Sequence, residues 1–160
     1  MFCPILASQA SGPRAVQTFN VGTLQVPPTS IVQLVEPLLG LGTDLEFLVY
    51  RTGPGAMSWW QSVANLQLAL CCLEPFAAGL DPDMSIDQAA AEAIGASGPD
   101  DIIVFTVVVL DRDPTQIRTN LRAPILVSRS TGKGVQIILD DAEIPVKAYL
   151  TELVAKKSKV

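Results

Sequence analysis

The sequence predicts a mainly β protein, a compact β-barrel-like single domain with one or two short peripheral helices. Three observations carry that prediction. Short runs of alternating or β-branched residues are punctuated throughout by the 11 glycines and 12 prolines of the chain, the pattern of a sandwich or barrel. The longest apolar run, Ile102 to Leu110, is β-branched and apolar on both faces, as a buried strand should be. Helical spacing is confined to one mid-chain stretch and the chain end, so strands do not alternate with helices as in βαβ units. At 160 residues the chain is long enough to bury a substantial core without disulfide or metal staples.

Taken in order, residues 1–14 contain Ser8, Ser11, Gly12 and Pro13 and predict a flexible leader. Regular structure is expected from Ala15, with Gly22 permitting a turn and Thr23 to Val26 returning as a second short strand. Pro27-Pro28 breaks it. Ile31 to Val35 reads as a strand, and Glu36 to Gly42 as an apolar loop. Asp44 to Arg51 and Ser58 to Val63 are strands around a Gly53-Pro54-Gly55 turn, followed by Gln67 to Leu73.

Residues 82–95 predict the clearest helix. Ser85 can cap it with Gln88 three positions on, Asp87 suits the positive helix end, and Gly95 is the stop. After the Ile102–Leu110 strand, Asp113-Pro114 turns the chain into Ile117 to Leu121 and Ile125 to Arg129, separated at Ala123-Pro124. Thr131 to Gly134 makes a hairpin turn into Val135 to Leu139. A second helix is expected over Val146 to Ala155, with Pro145 near its first turn. Lys156, Lys157 and Lys159 then make residues 151–160 a basic tail.

Only 17% of the residues are charged and nearly half are apolar, so exposed apolar patches of the kind that mark partner sites are expected. The net charge of −5 argues against direct nucleic-acid binding, which needs a basic footprint. The acid is uneven. Between Arg51 and Arg112 there is no Lys or Arg, while Glu74, Asp81, Asp83, Asp87, Glu92, Asp100, Asp101 and Asp111 fall there. An acidic face would steer a basic partner, and ordinary solvation of loops is the plain alternative. No run reaches the ~20 apolar residues of a membrane span. The N-terminus lacks the basic region of a secretory signal. A cytoplasmic location with reduced thiols is therefore expected.

The chain has no histidine, which removes the commonest general base and makes a Ser-His-Asp or Cys-His arrangement impossible. Cys71 and Cys72 are adjacent and lie among leucines, the setting of core fillers rather than of reactive thiolates. Their spacing to Cys3 matches no zinc site. The pairs Asp81/Asp83, Asp100/Asp101 and Asp140/Asp141 match no calcium loop. Gly132-Lys133-Gly134 lacks the rest of a phosphate loop and sits between strands. No catalytic residue, metal or cofactor is expected. Trp59 and Trp60 place one ring on each face of a strand, so one is core and the other is free to stack on a sugar or anchor a partner.

Six stretches in order resemble the FliW family of flagellar assembly factors, from about residue 16 to 150. Thr18 to Val26 looks like that family's opening hairpin. Glu36-Pro37-Leu38-Leu39-Gly40-Leu41 is similar to its Glu-Gly-Leu-Pro-Gly-Phe loop, with Pro37, Leu39 and Leu41 departing from it. Gln61-Ser62-Val63 matches, and the apolar strand Leu68 to Phe76 ends in Pro-Phe as the family's does. Thr119-Asn120-Leu121-Arg122-Ala123-Pro124, the most specific stretch, is followed by Gly134 to Leu139. The domain so delimited is 15–150.

The resemblance implies a protein that acts by binding and catalyses nothing. Its implied partners are flagellin in the cytoplasm and CsrA, an RNA-binding translational regulator that it antagonises. Glu36, Gln61, Asn120 and Arg122 are the candidate partner-binding residues, because the apolar members of the motifs are explained by packing alone. For Gln61 and Asn120 the alternative is side-chain to backbone hydrogen bonding inside the barrel. Two other classes stay open on the residues: a small barrel binding a small molecule or glycan through an exposed Trp, and an enzyme using Cys71 or Cys72.

Overall fold

Thr18 and Gly22 set the first turn of the molecule. The Thr18 hydroxyl donates to the Gly22 carbonyl at 2.6 Å and accepts from Val21 N–H, and Gly22 takes the positive φ of 78° that a side chain would resist. The result is an antiparallel hairpin of β1 (Arg14–Thr18) and β2 (Gly22–Val26). The computed structural model describes residues 12–82 and 84–158. The expected leader lies outside these, apart from Gly12 to Arg14, and Arg14 already belongs to β1.

Pro28–Ser30 forms a single 3₁₀ turn into β3 (Ile31–Leu34). There follow β4 (Glu46–Tyr50), β5 (Met57–Ser62) and β6 (Ala69–Leu73), an antiparallel meander. Next comes β7 (Ile102–Val109). The chain then returns through β8 (Arg118–Thr119), β9 (Ile125–Ser128) and β10 (Lys133–Gln136). The ladder runs β7-β6-β5-β4-β3-β10-β9, and β9 pairs back onto β7, closing seven strands into a barrel. Among the described residues all pairings are antiparallel except β3 with β10, where Gln33 lies opposite Lys133. The mainly β, barrel-like class predicted from the sequence is the class observed.

Alternation sorts side chains between the two faces. Val32, Leu34, Phe47, Val49, Trp60, Cys72, Ile103, Phe105, Ile125 and Val127 point inward and form the barrel core. Trp60 is wholly buried and meets Phe105 edge-on at 5.0 Å. Outside, the β1–β2 hairpin lies over Ile31, Leu48 and Tyr50. Helix α1 (Gln88–Ala93) is docked by Ala90, with Ile94 just beyond it, against Val104, Leu126 and Val135. Full burial of Ile94 contributes about 1.5–3 kcal/mol.

Both helices differ from expectation at their ends. The helix expected over 82–95 spans only Gln88–Ala93, and its cap is Asp87, not Ser85. The Asp87 carboxylate accepts from Ala90 N–H at 2.7 Å; a charged acceptor placed three residues before that donor outcompetes a hydroxyl placed five before it. The helix expected over Val146–Ala155 begins later. Ala148–Tyr149 forms strand β11, paired with β8, and α2 runs Leu150–Ser158. Lys157 Nζ donates to the Ala78 carbonyl at 2.8 Å, fastening the last turn of α2 to the turn after β6.

Candidate functional site

The Thr119–Pro124 stretch sits at the seam of the barrel. Thr119 pairs with Val108 of β7, and Ile125 pairs with Phe105. Three steps along β7 thus correspond to six along the facing chain, and the surplus residues leave the ladder as a bulge. On one side of the bulge the strand pairs outward with β11; on the other it pairs with β10. Asn120 Oδ1 accepts from Arg122 N–H at 3.0 Å and shapes the bulge. The Arg122 guanidinium donates from Nε to the Ile144 carbonyl at 2.8 Å and from Nη2 to the Ala142 carbonyl at 2.9 Å. The fork thereby fixes the loop before β11.

The Glu36 loop lies at the same end. Leu38 is buried in the barrel core, while Leu39 points outward and is 59% exposed. Gln136 joins the two segments: its Oε1 accepts from Leu39 N–H at 2.9 Å and its Nε2 donates to the Ala123 carbonyl at 3.1 Å. The structure therefore gathers Glu36, Asn120 and Arg122 on two segments bridged by one side chain. Glu36 is exposed; Asn120 and Arg122 are partly buried and their polar atoms engage the chain itself. Gln136 was not singled out from the sequence. Its signal was a carboxamide in the otherwise apolar run Val135 to Leu139.

Gln61 is elsewhere, on the outer face of β5 beneath the hairpin. It is fully buried. Its Oε1 accepts from Phe19 N–H at 3.0 Å, and its Nε2 lies within 3.2–3.3 Å of the carbonyls of Ser62, Asn65, Leu66 and Leu68. The hairpin covers this side chain, and its polar atoms are engaged by the chain itself. Internal hydrogen bonding, the alternative weighed on the sequence, describes Gln61 and Asn120 as they stand.

The tryptophans divide as alternation requires. Trp60 is inside the barrel, and Trp59 is half-buried outside it, edge-on to Phe19 at 5.1 Å. Cys71 and Cys72 are buried free thiols. Burial pushes the Cys71 pKa up to about 11, and burial together with the neighbouring Cys71 raises that of Cys72 well above the ordinary thiol value. Both are held as thiols, the unreactive form. Among the described residues no cluster of acids and thiols is placed to hold a metal, and no helix is long and apolar enough to cross a membrane.

The fold and these contacts define a closed seven-stranded β-barrel with an accessory hairpin, whose motif residues fasten turns and loops to one another. A family model described as FliW protein matches residues 15–150, and the chain belongs to the FliW family. It is 27% identical over 144 residues to a flagellar assembly factor FliW of Ruminiclostridium cellulolyticum, covering 89% of this chain and 97% of that one. The FliW of Magnetococcus marinus is 29% identical over 128 residues, covering 79% of each. A crystal structure of a flagellar assembly factor FliW superposes with a TM-score of 0.76 at 21% identity, over 86% of this chain and 96% of that one. That likeness establishes the shared fold.

Proposed function

We propose that this protein is a cytoplasmic flagellar assembly factor that binds flagellin and antagonises CsrA, so coupling flagellin synthesis to flagellum assembly. The observation that carries the reading is family membership across residues 15–150, with relatives named as flagellar assembly factors over most of their length. The geometry supports action by binding. The thiols are buried and protonated, and the motif residues rigidify a surface. Glu36 and the exposed Leu39 near it are open to a partner at this motif-bearing barrel end, with Asn120 and Arg122 shaping the adjoining bulge.

Calorimetric titration with flagellin, and separately with CsrA, tests this. Saturable micromolar or tighter binding to each is expected. Absence of heat and of co-elution with both proteins would leave the fold without this function.

A further inference from the structure

A groove opens between the run-in to α1 and the segment that follows β10. Its volume is about 350 Å³. That is at the low end of the ~300–1,000 Å³ range of ligand pockets, so it suits a side chain rather than a large ligand. Ile137, Leu139 and Ile144 form the floor; Ile138, 65% exposed, forms the lip. Asp87, Asp140 and Asp141 stand on the rim, and among the described residues the lining contains no Lys or Arg.

The groove is held in shape from behind. Leu139 N–H donates to the Arg122 carbonyl at 2.8 Å, and the Arg122 guanidinium clamps the carbonyls of Ala142 and Ile144. Asp141 Oδ1 accepts from Glu143 N–H at 2.9 Å, and Asp87 caps α1. The rim acids take no part in the two ion pairs seen among the described residues, Arg14–Glu46 and Arg51–Glu74. Their negative charge therefore faces whatever enters.

We propose that this groove docks a basic amphipathic segment of a partner protein: an apolar side chain seated against Ile138 and Ile144, flanked by Lys or Arg that meet Asp87, Asp140 and Asp141. Charge complementarity selects this occupant, since an acidic segment would be repelled by the rim and a purely apolar one would leave it desolvated. The inference rests on the reading of the chain as a binding protein and adds the place and chemistry of one contact.

The test is an NMR titration of the full ¹⁵N-labelled chain with a synthetic peptide of lysine, arginine and leucine, alongside a matched peptide with serine for each leucine. Expected are shifts concentrated at Ser85–Asp87 and Ile137–Ile144, and tighter binding of the leucine peptide. Ile138→Ser should lose about tenfold in affinity, the worth of one partly buried aliphatic contact. Binding should also weaken as salt rises. Shifts spread evenly over all acidic loops, equal affinity of the two peptides, an unaffected Ile138→Ser variant, or no binding would each overturn the proposal. Binding of flagellin and CsrA undiminished in Ile138→Ser would overturn the groove and leave the family function standing.

Discussion

The side-chain oxygen of Gln61, on β5, accepts the backbone N–H of Phe19, in the turn of the β1–β2 hairpin 42 positions earlier in the chain. The amide nitrogen of the same side chain faces the carbonyls of the β5–β6 turn. One buried carboxamide thus joins the hairpin to the barrel.

Replacing Gln61 with Met keeps the volume and removes the polar contacts. The Phe19 N–H and the surrounding carbonyls lose a buried partner, and the variant should be destabilised by about 2–3 kcal/mol in urea unfolding. Gln61→Glu should behave differently. A carboxylate among carbonyls has its folded pKa raised above the unfolded value of ~4.3. Its deficit should be largest at neutral pH and shrink as pH falls through that raised pKa. A Gln61→Glu deficit independent of pH would disprove the carbonyl cage.

Arg122→Lys keeps the charge and loses the fork. One ammonium cannot reproduce two fixed bonds to the carbonyls of Ala142 and Ile144, so a loss of about 1–2 kcal/mol is expected. Thermal unfolding measures it. Stability equal to the parent would show that the loop before β11 needs no such clamp.

In a Cys3→Ser background, Cys71 and Cys72 should react slowly with a disulfide reagent in the native state and rapidly in urea. With the Cys71 pKa pushed up to about 11, roughly one thiol in 10⁴ is ionised at about pH 7. Fast labelling of the folded protein would restore thiol chemistry as a possibility.

Asp101 accepts from Ser97 N–H, Ser130 N–H and the hydroxyls of Ser128 and Ser130. Burial alone would raise its pKa; the bonds from Ser130, Ser128 and Ser97 more than offset this and leave it lowered. With the folded value below the unfolded ~3.9, the stabilisation is fully present above about pH 4 and is lost as pH falls through the folded pKa. The stability gap between the parent and Asp101→Asn should therefore be wide at about pH 7 and narrow at about pH 3. A gap that widens in acid would reverse the sign of this account.

The strands were legible because their signals are local. β7 announced itself by β-branched residues, and the turns at Gly22 and Gly132 by glycines that take positive φ. The start of the first helix was misplaced because Ser85 and Asp87 are both competent caps in sequence, and it takes the folded geometry to show that the Asp87 carboxylate meets Ala90 N–H. The parallel β3–β10 pair and the β7–β9 closure have no local signature at all. The candidate residues were found as motif members, yet a motif does not tell a buried fastening from an exposed contact. Gln61 and Gln136 are both glutamines on strands; only the hairpin lying over the first and the loop crossing the second show what each holds.

The parallel seam has a consequence for the birth of the molecule. Gln33 of β3 finds its partner at Lys133, and β9, which completes the ring, sits between β10 and β7. A ribosome must therefore deliver the chain through Gln136 before the barrel can shut, and until then the β3 edge of the nascent meander stays open. Such long-range closure places folding in the slow, millisecond-to-second regime of β topologies. The interval when that edge is bare is when the protein is most exposed to aggregation.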